Sequence, residues 1–307
     1  MLYNTEVKNK LLCIVGPTGV GKTELALSLA QKLNGALISA DSIQVFTGLD
    51  IISGKDKPAD FSLTPLLIDI LPPTQSYSAH EFASEASKAI SQIIHSDKLP
   101  ILVGGTGLYI KSLIEGLDTE VKPNIKLRLE LEKSTVEKLQ TKLKKLNPKK
   151  FDSLNNSDIN NKRRLIRAIE VGKIKNQKSR IIKEKTFKSL VIGLFAPHEI
   201  LKERIDKRVQ KRIDQGALRE AGELFCNYSN LTPQVKNANG YKQLFAFFNK
   251  ELSLKEAIYR WKISEYRHAK NQMTWFRKYG NVVWFDVSKD QFNSKIEKYL
   301  TSKIQQT

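Results

Sequence analysis

Short apolar runs alternate with segments of helical periodicity over the first third of the chain. Residues 11–15, LLCIV, form a continuous apolar run, as expected for a strand covered on both faces. They lead through a glycine-rich motif into an amphipathic segment, TELALSLAQKL. Further apolar runs, each predicted as a strand, lie at 36–40, 66–70 and 101–103. Because strands separated by helices pair in parallel, this pattern predicts a doubly wound α/β sheet.

A helix-start signal follows the third apolar run. Ser78 and Glu81 have the spacing of a capping box, in which the two side chains and backbone N–H groups bond reciprocally. The segment behind them carries one apolar stripe, which we expect to be buried against the sheet: Phe82, Ala86, Ile90 and Ile93.

The pattern changes after about residue 116. Residues 118–188 combine helical periodicity with many charges, whereas strand texture resumes at 190–195 and recurs at 282–287. This order predicts a helical subdomain inserted into the fold that carries the sheet. The predicted parts are a first core segment over 1–117, the insertion over 118–189, and a second, mostly helical core segment over 190–307.

A phosphate-binding motif, GPTGVGKT, lies between the first predicted strand and the first predicted helix. Its glycines allow successive backbone N–H groups to point at phosphate oxygens, and the following helix adds its positive N-terminus. Lys22 supplies a mobile charge, and the Thr23 hydroxyl suits a Mg²⁺ ion. The predicted diphosphate-binding residues are Gly16, Pro17, Thr18, Gly19, Val20, Gly21, Lys22 and Thr23. The fold class predicted is therefore α/β, with a P-loop NTPase-like parallel sheet core and an inserted, mainly helical subdomain. The motif leaves open whether the ligand is a nucleoside triphosphate or another diphosphate.

Two further predicted strands end in residues suited to ligand chemistry. Asp41 follows the run 36–40 at the carboxyl edge of the sheet, where it can act as a general base or a Mg²⁺ ligand. The alternative is that Asp41 caps a helical turn. The turn Gly104–Gly107 ends the strand 101–103 at the same edge, where its glycines allow close backbone approach and Thr106 offers a hydroxyl to a ligand.

Two basic segments allow both a functional and a structural interpretation. One predicted helix carries Arg204, Lys207, Arg208, Lys211 and Arg212. Such a run is typical of a solvated face, although Arg204 and Arg208, at i and i+4, can aim at phosphate. Residues 266–277 interleave aromatic and basic side chains, as surfaces that stack nucleic-acid bases do. Trp275 and Phe276 equally suit a core.

The net charge is +19, which favours association with a polyanion such as nucleic acid. A general lysine bias is the alternative, but the charge is unevenly distributed. Residues 118–190 contain 21 Lys and Arg against 9 Asp and Glu, an excess of 12 in about a quarter of the chain. This concentration favours a polyanion-binding patch in the insertion.

Cysteine content and hydropathy indicate the compartment. Cys13 and Cys226 are the only cysteines and lack metal-ligand spacing, so we expect reduced thiols in a cytoplasmic protein. No apolar run approaches the ~20 residues needed to cross a bilayer, and the first apolar run is predicted as a strand instead of a signal peptide. No membrane association is expected, and we expect a monomer.

Seven sequence blocks follow one another along nearly the whole chain: GPTGVGKT at 16–23, ISADSIQVFTGLDI at 38–51, LVGGTGLYIKSLIEGL at 102–117, RRLIRAIEV at 163–171, RIDKR at 204–208, GYKQL at 240–244 and AKNQMTWFR at 269–277. In sequence and in order, these blocks resemble those of the tRNA dimethylallyltransferase (tRNA isopentenyltransferase) family.

The resemblance implies transfer of a dimethylallyl group from dimethylallyl diphosphate to the exocyclic amine of the adenine immediately 3′ of the anticodon in tRNA. It implies that the P-loop holds the isoprenoid diphosphate, that Mg²⁺ is the cofactor, and that the insertion binds the anticodon stem-loop. The implied catalytic residues are Asp41 as general base, Arg208 beside the leaving diphosphate, and Thr106. The implied tRNA-binding residues are Asp41, Ser42, Ile43, Gln44, Thr106, Arg128, Asn160, Asn161, Lys162, Arg163, Arg164, Gly240, Tyr241 and Lys242.

The chain departs from the family pattern in three places: Asn161 replaces a usual aspartate, Asn237 stands near a position where some relatives have arginine, and residues 266–268 read YRH. Two rival functions use a similar pocket. A small-molecule kinase would also use Lys22 and an acid near Asp41, but would not explain the basic insertion. An adenylate isopentenyltransferase acting on free nucleotide would not need it.

Overall fold

The computed structural model describes residues 10–55, 58, 63–117, 121, 124–174 and 188–305. The chain divides into two compact units, one formed by residues 1–115 with 185–307 and the other by residues 116–184. Strand texture in the first unit resumes at Lys188, two residues before the start predicted for the second core segment.

The described strands of the first unit are β1 (Lys10–Val15), β2 (Gly35–Ser39), β3 (Leu99–Gly104), β4 (Lys188–Phe195) and β5 (Val282–Asp286). They form one parallel sheet in the order β2-β3-β1-β4-β5. Leu12 in the central strand pairs with Ile101 on one side and Leu190 on the other. Parallel pairing brings the carboxyl ends of all five strands to one edge. The predicted parallel α/β sheet is confirmed.

The helices of this unit cover both faces of the sheet and extend beyond its edge. Those before the insertion are α1 (Lys22–Lys32), α2 (Ala79–His95) and α3 (Gly107–Ile114). The second unit contributes α4 (Ile125–Glu132), α5 (Val136–Leu146), α6 (Pro148–Asp152), α7 (Asn156–Ile159) and α8 (Lys162–Ile174). After it come α9 (His198–Asp214), α10 (Ala217–Asn227), α11 (Pro233–Lys236), α12 (Tyr241–Phe248), α13 (Leu254–Arg277) and α14 (Phe292–Gln305).

Alternating residues of β1 show why its apolar run is continuous. Leu12 and Ile14 pack into a core with α1 and α14, whereas Leu11, Cys13 and Val15 pack into a second core with α2 and α3. Each strand residue therefore has a buried environment on one face or the other.

Helix α2 begins as its sequence predicts. The Glu81 N–H donates to the Ser78 hydroxyl at 3.2 Å, and the Ser78 N–H donates to the Glu81 carboxylate at 2.8 Å, completing the capping box. The predicted apolar stripe, Phe82, Ala86, Ile90 and Ile93, is buried.

The predicted strand at 66–70 is wrong. Among the described residues, Leu66 makes one isolated bridge to Ile38, and Leu71, just after the segment, makes another to Phe46. Leu67 and Asp69 have φ angles of 64° and 54°, which interrupt an extended backbone. Leu66 and Ile70 are consequently 42% exposed despite their apolar side chains.

The second unit is helical in its described part. Its helices are α4 (Ile125–Glu132), α5 (Val136–Leu146), α6 (Pro148–Asp152), α7 (Asn156–Ile159) and α8 (Lys162–Ile174). Their shared core comprises Leu127, Leu131, Leu139, Leu143, Leu165, Ile166, Ala168 and Ile169. Side-chain caps begin the first two, because Asn124 accepts from the Leu127 N–H and Thr135 from the Lys138 N–H.

Across the described residues, no helix is both long enough and apolar enough to cross a membrane. Cys13 is buried in β1 and Cys226 is exposed, and neither forms a disulfide.

Candidate active site

The P-loop connects β1 to α1 at the carboxyl edge of the sheet. Gly16 has a φ of 144°, and a β-carbon there would lie 2.5 Å from the Leu194 carbonyl oxygen of the neighbouring strand, so only glycine fits. Val20 is buried and anchors the loop in the core. Lys22 and Thr23 form the first turn of α1, where helix N–H groups favour an anion.

Lys22 lies within electrostatic reach of two other predicted site residues. Its Nζ donates to the Pro17 carbonyl oxygen at 2.8 Å, folding the side chain over its own loop. Burial, and then the Arg208 guanidinium, lower the pKa of Lys22 to about 7, although the Asp41 carboxylate opposes both. The structure therefore brings together residues from α1, α9 and the end of β2.

One carboxylate oxygen of Asp41 caps the following turn, which is the structural alternative to a catalytic role. Its Oδ1 accepts from the Ile43 N–H at 2.8 Å and the Gln44 N–H at 3.4 Å, which fixes the turn after β2. Within the described part of the chain, Oδ2 makes no hydrogen bond. The half-buried carboxylate is thus held by one oxygen while the other can accept a proton.

The turn that contains Asp41 is tied to the neighbouring strand ends. The Ser42 N–H donates to the Thr106 hydroxyl oxygen at 3.1 Å, and the Thr106 N–H donates to the Ala40 carbonyl oxygen at 3.1 Å. The Gln44 amide accepts from the Ser39 hydroxyl at 2.8 Å and donates to the Gly54 carbonyl oxygen at 2.9 Å. Ile43 is half-buried and packs against the neighbouring helical core.

The glycines of the 104–107 turn serve a different close approach from the one predicted. A β-carbon at Gly105 would lie 2.1 Å from Nε2 of Gln272, and one at Gly107 would lie 2.4 Å from the Trp275 ring. Both side chains come from α13. The two glycines were predicted to let a ligand approach the backbone. Instead, α13 packs directly onto this turn, and its side chains occupy the space beside Gly105 and Gly107.

The basic run on α9 divides between the site and solvent. Nη2 atoms of Arg208 and Arg212 would both lie 2.5 Å from a β-carbon at Gly54, so the two guanidinium groups converge on that turn. Arg212 is buried and pairs with Glu265. By contrast, Lys207 is exposed and pairs with Glu203 at 2.6 Å, as expected of a solvated face.

Some predicted tRNA-binding residues of the second unit are exposed, whereas others form ion pairs within the unit. Arg128 Nε and Nη2 donate to the two Glu170 carboxylate oxygens at 2.9 and 2.8 Å, and Arg167 also donates to Glu170. Burial raises the pKa of Glu170. Hydrogen bonds from Arg128, the Asn124 N–H and Arg167 outweigh burial and hold that pKa below its usual range. The side chains of Arg128 and Arg167 therefore brace the helices as well as contributing charge.

The residues around the start of α8 have local partners. The Asn161 amide oxygen accepts from the Arg164 N–H at 3.2 Å, so asparagine caps this helix where the family more often has aspartate. Asn160 donates to the Asn156 carbonyl oxygen, Lys162 donates to the Glu132 carbonyl oxygen, and Arg164 pairs with Asp158. Arg163 is exposed.

Tyr241 does not fit its predicted tRNA contact. Its side chain is 0% exposed, and its hydroxyl donates to Oε1 of Glu220 at 2.6 Å. Gly240 begins α12 against Ile52, where a β-carbon would lie 2.5 Å from that side chain. In the GYK triplet, only Lys242 is exposed.

The aromatic stretch near the end of α13 is mainly structural. Phe276 is 0% exposed and belongs to the core of α2 and α3. Trp275 is half-buried, packs on Gly107 and stacks on Tyr279 with ring centroids 5.5 Å apart. The core alternative therefore holds for Phe276 and largely for Trp275.

Sequence reasoning missed two residues that organise the site. Gln272 bonds the P-loop and the 104–107 turn, and Glu220 accepts from the N–H groups of Asp50, Ile51 and Ile52. Gln272 lies inside the block AKNQMTWFR, which singled out its neighbours, whereas no motif pointed to Glu220.

Family models and known proteins match nearly the whole chain. The family model described as IPP transferase matches residues 44–279, and one described as isopentenyl transferase matches residues 9–67. A tRNA dimethylallyltransferase of Halothermothrix orenii is 38% identical, with 94% of this chain and 92% of that protein covered. One of Streptococcus agalactiae serotype III is 39% identical, with 96% and 99% covered.

Solved structures also align with nearly the whole chain. The tRNA isopentenylpyrophosphate transferase of Bacillus halodurans aligns with a TM-score of 0.73 at 36% identity, covering 97% of this chain and 98% of that one. A eukaryotic dimethylallyltransferase acting on tRNA aligns with a TM-score of 0.77 at 26% identity, covering 94% and 77%. The chain, an enzyme by these relationships, therefore belongs to the tRNA dimethylallyltransferase (IPP transferase) family.

Proposed function

We propose that this protein transfers the dimethylallyl group of dimethylallyl diphosphate to the exocyclic amine of the adenine immediately 3′ of the anticodon in tRNA, releasing diphosphate. The observation that carries the proposal is the placement of three groups at the carboxyl edge of the sheet: Lys22 in the P-loop, Asp41 in the turn after β2, and Arg208 beside Gly54, to which Gln44 of that turn is bonded. Two cations suit a departing diphosphate, and one carboxylate suits a proton acceptor. Family membership supplies the reaction class.

The reaction requires both kinds of group. The adenine amine nitrogen bonds to C1 of the dimethylallyl group while the C1–oxygen bond breaks, and the electron pair of that bond leaves with diphosphate. The amine proton passes to the Asp41 carboxylate, whose orientation is fixed by the bonds to its Oδ1. Lys22 and Arg208 stabilise the charge that develops on the diphosphate. Because the target adenine is stacked in the anticodon loop, it must be flipped out to reach this edge.

We also propose that Mg²⁺ accompanies the diphosphate. The Thr23 hydroxyl in the first turn of α1 and the Asp41 carboxylate nearby are hard oxygen donors of the kind Mg²⁺ prefers. Among the described residues no group of three or more His, Cys, Asp or Glu could hold a metal, so most ligands would come from the diphosphate and water. Thr23 would hold the ion, which would neutralise phosphate charge.

The tRNA partner is supported by charge and by the relatives. The insertion has an excess of 12 positive charges, and relatives of this chain are named for action on tRNA. We expect the anticodon stem-loop to bind there and at the turn after β2, with Ser42, Gln44 and Thr106 near the flipped base. A monomer in the cytoplasm, where tRNA is available, completes the proposal.

The decisive experiment offers radiolabelled dimethylallyl diphosphate with either unmodified tRNA or AMP. We expect label in tRNA alone. Label in AMP would favour an adenylate isopentenyltransferase, and transfer of phosphate from ATP to a small molecule would favour a kinase. Asp41→Asn serves as the matched control, since it changes one atom of the carboxylate and keeps the turn.

A further inference from the structure

Gln272 connects two loops of the site from a third element. Its side-chain oxygen accepts from the Thr18 N–H of the P-loop at 2.8 Å, and its Nε2 donates to the Gly105 carbonyl oxygen at 3.0 Å. The side chain is buried, with 8% exposure for the residue. A single amide thus satisfies one donor and one acceptor on loops that follow β1 and β3.

Both halves of the amide are needed at this position. Glutamate could still accept from the Thr18 N–H, but its second oxygen would face the Gly105 carbonyl oxygen, and two acceptors repel. Methionine has a similar length and supplies neither bond, which leaves a buried donor and a buried acceptor unpaired. No side chain could be added at Gly105 to compensate, since a β-carbon there would lie 2.1 Å from Nε2 of Gln272.

The connection continues to the proposed base. Thr106 follows Gly105 directly; its hydroxyl accepts from the Ser42 N–H, and its own N–H donates to Ala40. Ala40 and Ser42 flank Asp41. The P-loop is therefore linked to the Asp41 turn through Gln272, the 104–107 turn and Thr106, a path across three strand ends.

We propose that Gln272 is a positioning residue that sets the separation between the diphosphate held by the P-loop and the base on the Asp41 turn. This inference rests on the proposed function for its catalytic consequence. Thr18 donates its N–H to Gln272, so Gln272 acts on the loop proposed to hold the diphosphate. Misplacement of reacting groups by about 1 Å costs on the order of 100-fold in rate, whereas affinity for the diphosphate depends on other groups of the loop.

The test compares Gln272→Glu and Gln272→Met with a core control, Ile93→Val. Ile93 is buried near the end of α2, next to the start of β3 and thus at the opposite edge of the sheet. We expect both Gln272 variants to slow single-turnover transfer to tRNA by about 10- to 100-fold, with the dissociation constant for dimethylallyl diphosphate changed less than about threefold. Ile93→Val should lose some thermal stability and keep its rate.

A second readout needs no reaction. Amide hydrogen exchange of residues 40–44 should accelerate in Gln272→Met, although this segment does not touch Gln272, and should stay unchanged in Ile93→Val. If the wild-type protein transfers no dimethylallyl group to tRNA, the proposed function fails. Hydrogen exchange at 40–44 then decides by itself whether Gln272 is structurally linked to the Asp41 turn. The inference is overturned if folded Gln272 variants keep the wild-type rate, if rate and diphosphate affinity fall in parallel, or if exchange at 40–44 is unaltered.

Discussion

Removing one buried hydroxyl tests whether Tyr241 belongs to the fold or to the tRNA interface. In the structure its hydroxyl donates to Glu220, whose carboxylate also accepts from the N–H groups of Asp50, Ile51 and Ile52. Tyr241→Phe keeps the ring and removes only this bond. We expect the variant to unfold more easily and to bind tRNA normally.

The magnitude follows from the partners. A hydrogen bond to a charged group contributes about 1.5–3 kcal/mol. The Glu220 oxygen that loses the hydroxyl still accepts from the Ile52 N–H at 3.0 Å, so the carboxylate is not orphaned and we expect about 2 kcal/mol. Burial, and then the Glu220 carboxylate, raise the pKa of Tyr241 well above its usual value. The donor therefore stays protonated, and the loss should be equal at pH 6 and pH 9.

Urea unfolding followed by tryptophan fluorescence measures the stability, and filter binding measures tRNA affinity. Tyr259→Phe is the matched control, because Tyr259 is 60% exposed on α13 and its hydroxyl loss should cost little. An unchanged urea midpoint for Tyr241→Phe would show that the bond contributes nothing. Tenfold weaker tRNA binding at unchanged stability would refute the burial argument and restore the predicted tRNA contact.

Asp41→Asn should reduce single-turnover transfer by about 100-fold or more while tRNA affinity holds, and an unchanged rate would remove Asp41 as the base. Arg208→Ala should lose about 2–4 kcal/mol of transition-state stabilisation, seen in the transfer rate; a defect in tRNA affinity alone would contradict that role. Because burial lowers the pKa of Lys22 to about 7, and a bound diphosphate favours its charged form, binding at pH 8 should take up most of one proton and weaken as pH rises. Calorimetry in two buffers of different ionisation enthalpy measures this uptake, and its persistence in Lys22→Arg would assign it elsewhere. Arg163→Ala should lower the salt slope of tRNA binding by about one without loss of stability. Arg167→Ala should destabilise the second unit, because it removes the hydrogen bond to Glu170. A stability loss in Arg163→Ala and a lower salt slope alone in Arg167→Ala would exchange the two roles.

The order of strands and helices could be predicted from the sequence because its signals are local. A continuous apolar run such as 11–15 needs cover on both faces, and the Ser78–Glu81 box depends on residues three positions apart. The strand predicted at 66–70 failed for an equally local reason that hydropathy does not encode, since positive φ angles at Leu67 and Asp69 break the extended backbone.

Long-range contacts account for what the sequence did not predict about the site. The P-loop and Asp41 could be predicted because motif spacing and strand ends place them. The contact between Gly105 and Gln272 could not, because Gln272 lies on a helix more than 160 positions later. The burial of Tyr241 likewise depends on Glu220, which no motif marks. Partners distant in sequence decide whether a polar residue faces a ligand or the core.

The strand order has a consequence for synthesis on the ribosome. Central strand β1 pairs with β4, whose residues emerge only after the whole of 116–184 has been made. At about 5–20 residues per second, that stretch takes on the order of 3–14 s, during which one edge of β1 lacks its final partner. An open apolar edge strand invites pairing with other chains. The core of the helical unit is built from contacts within 124–174, so this unit can fold during the interval. The nascent chain would then fold the inserted helical unit before it completes the sheet.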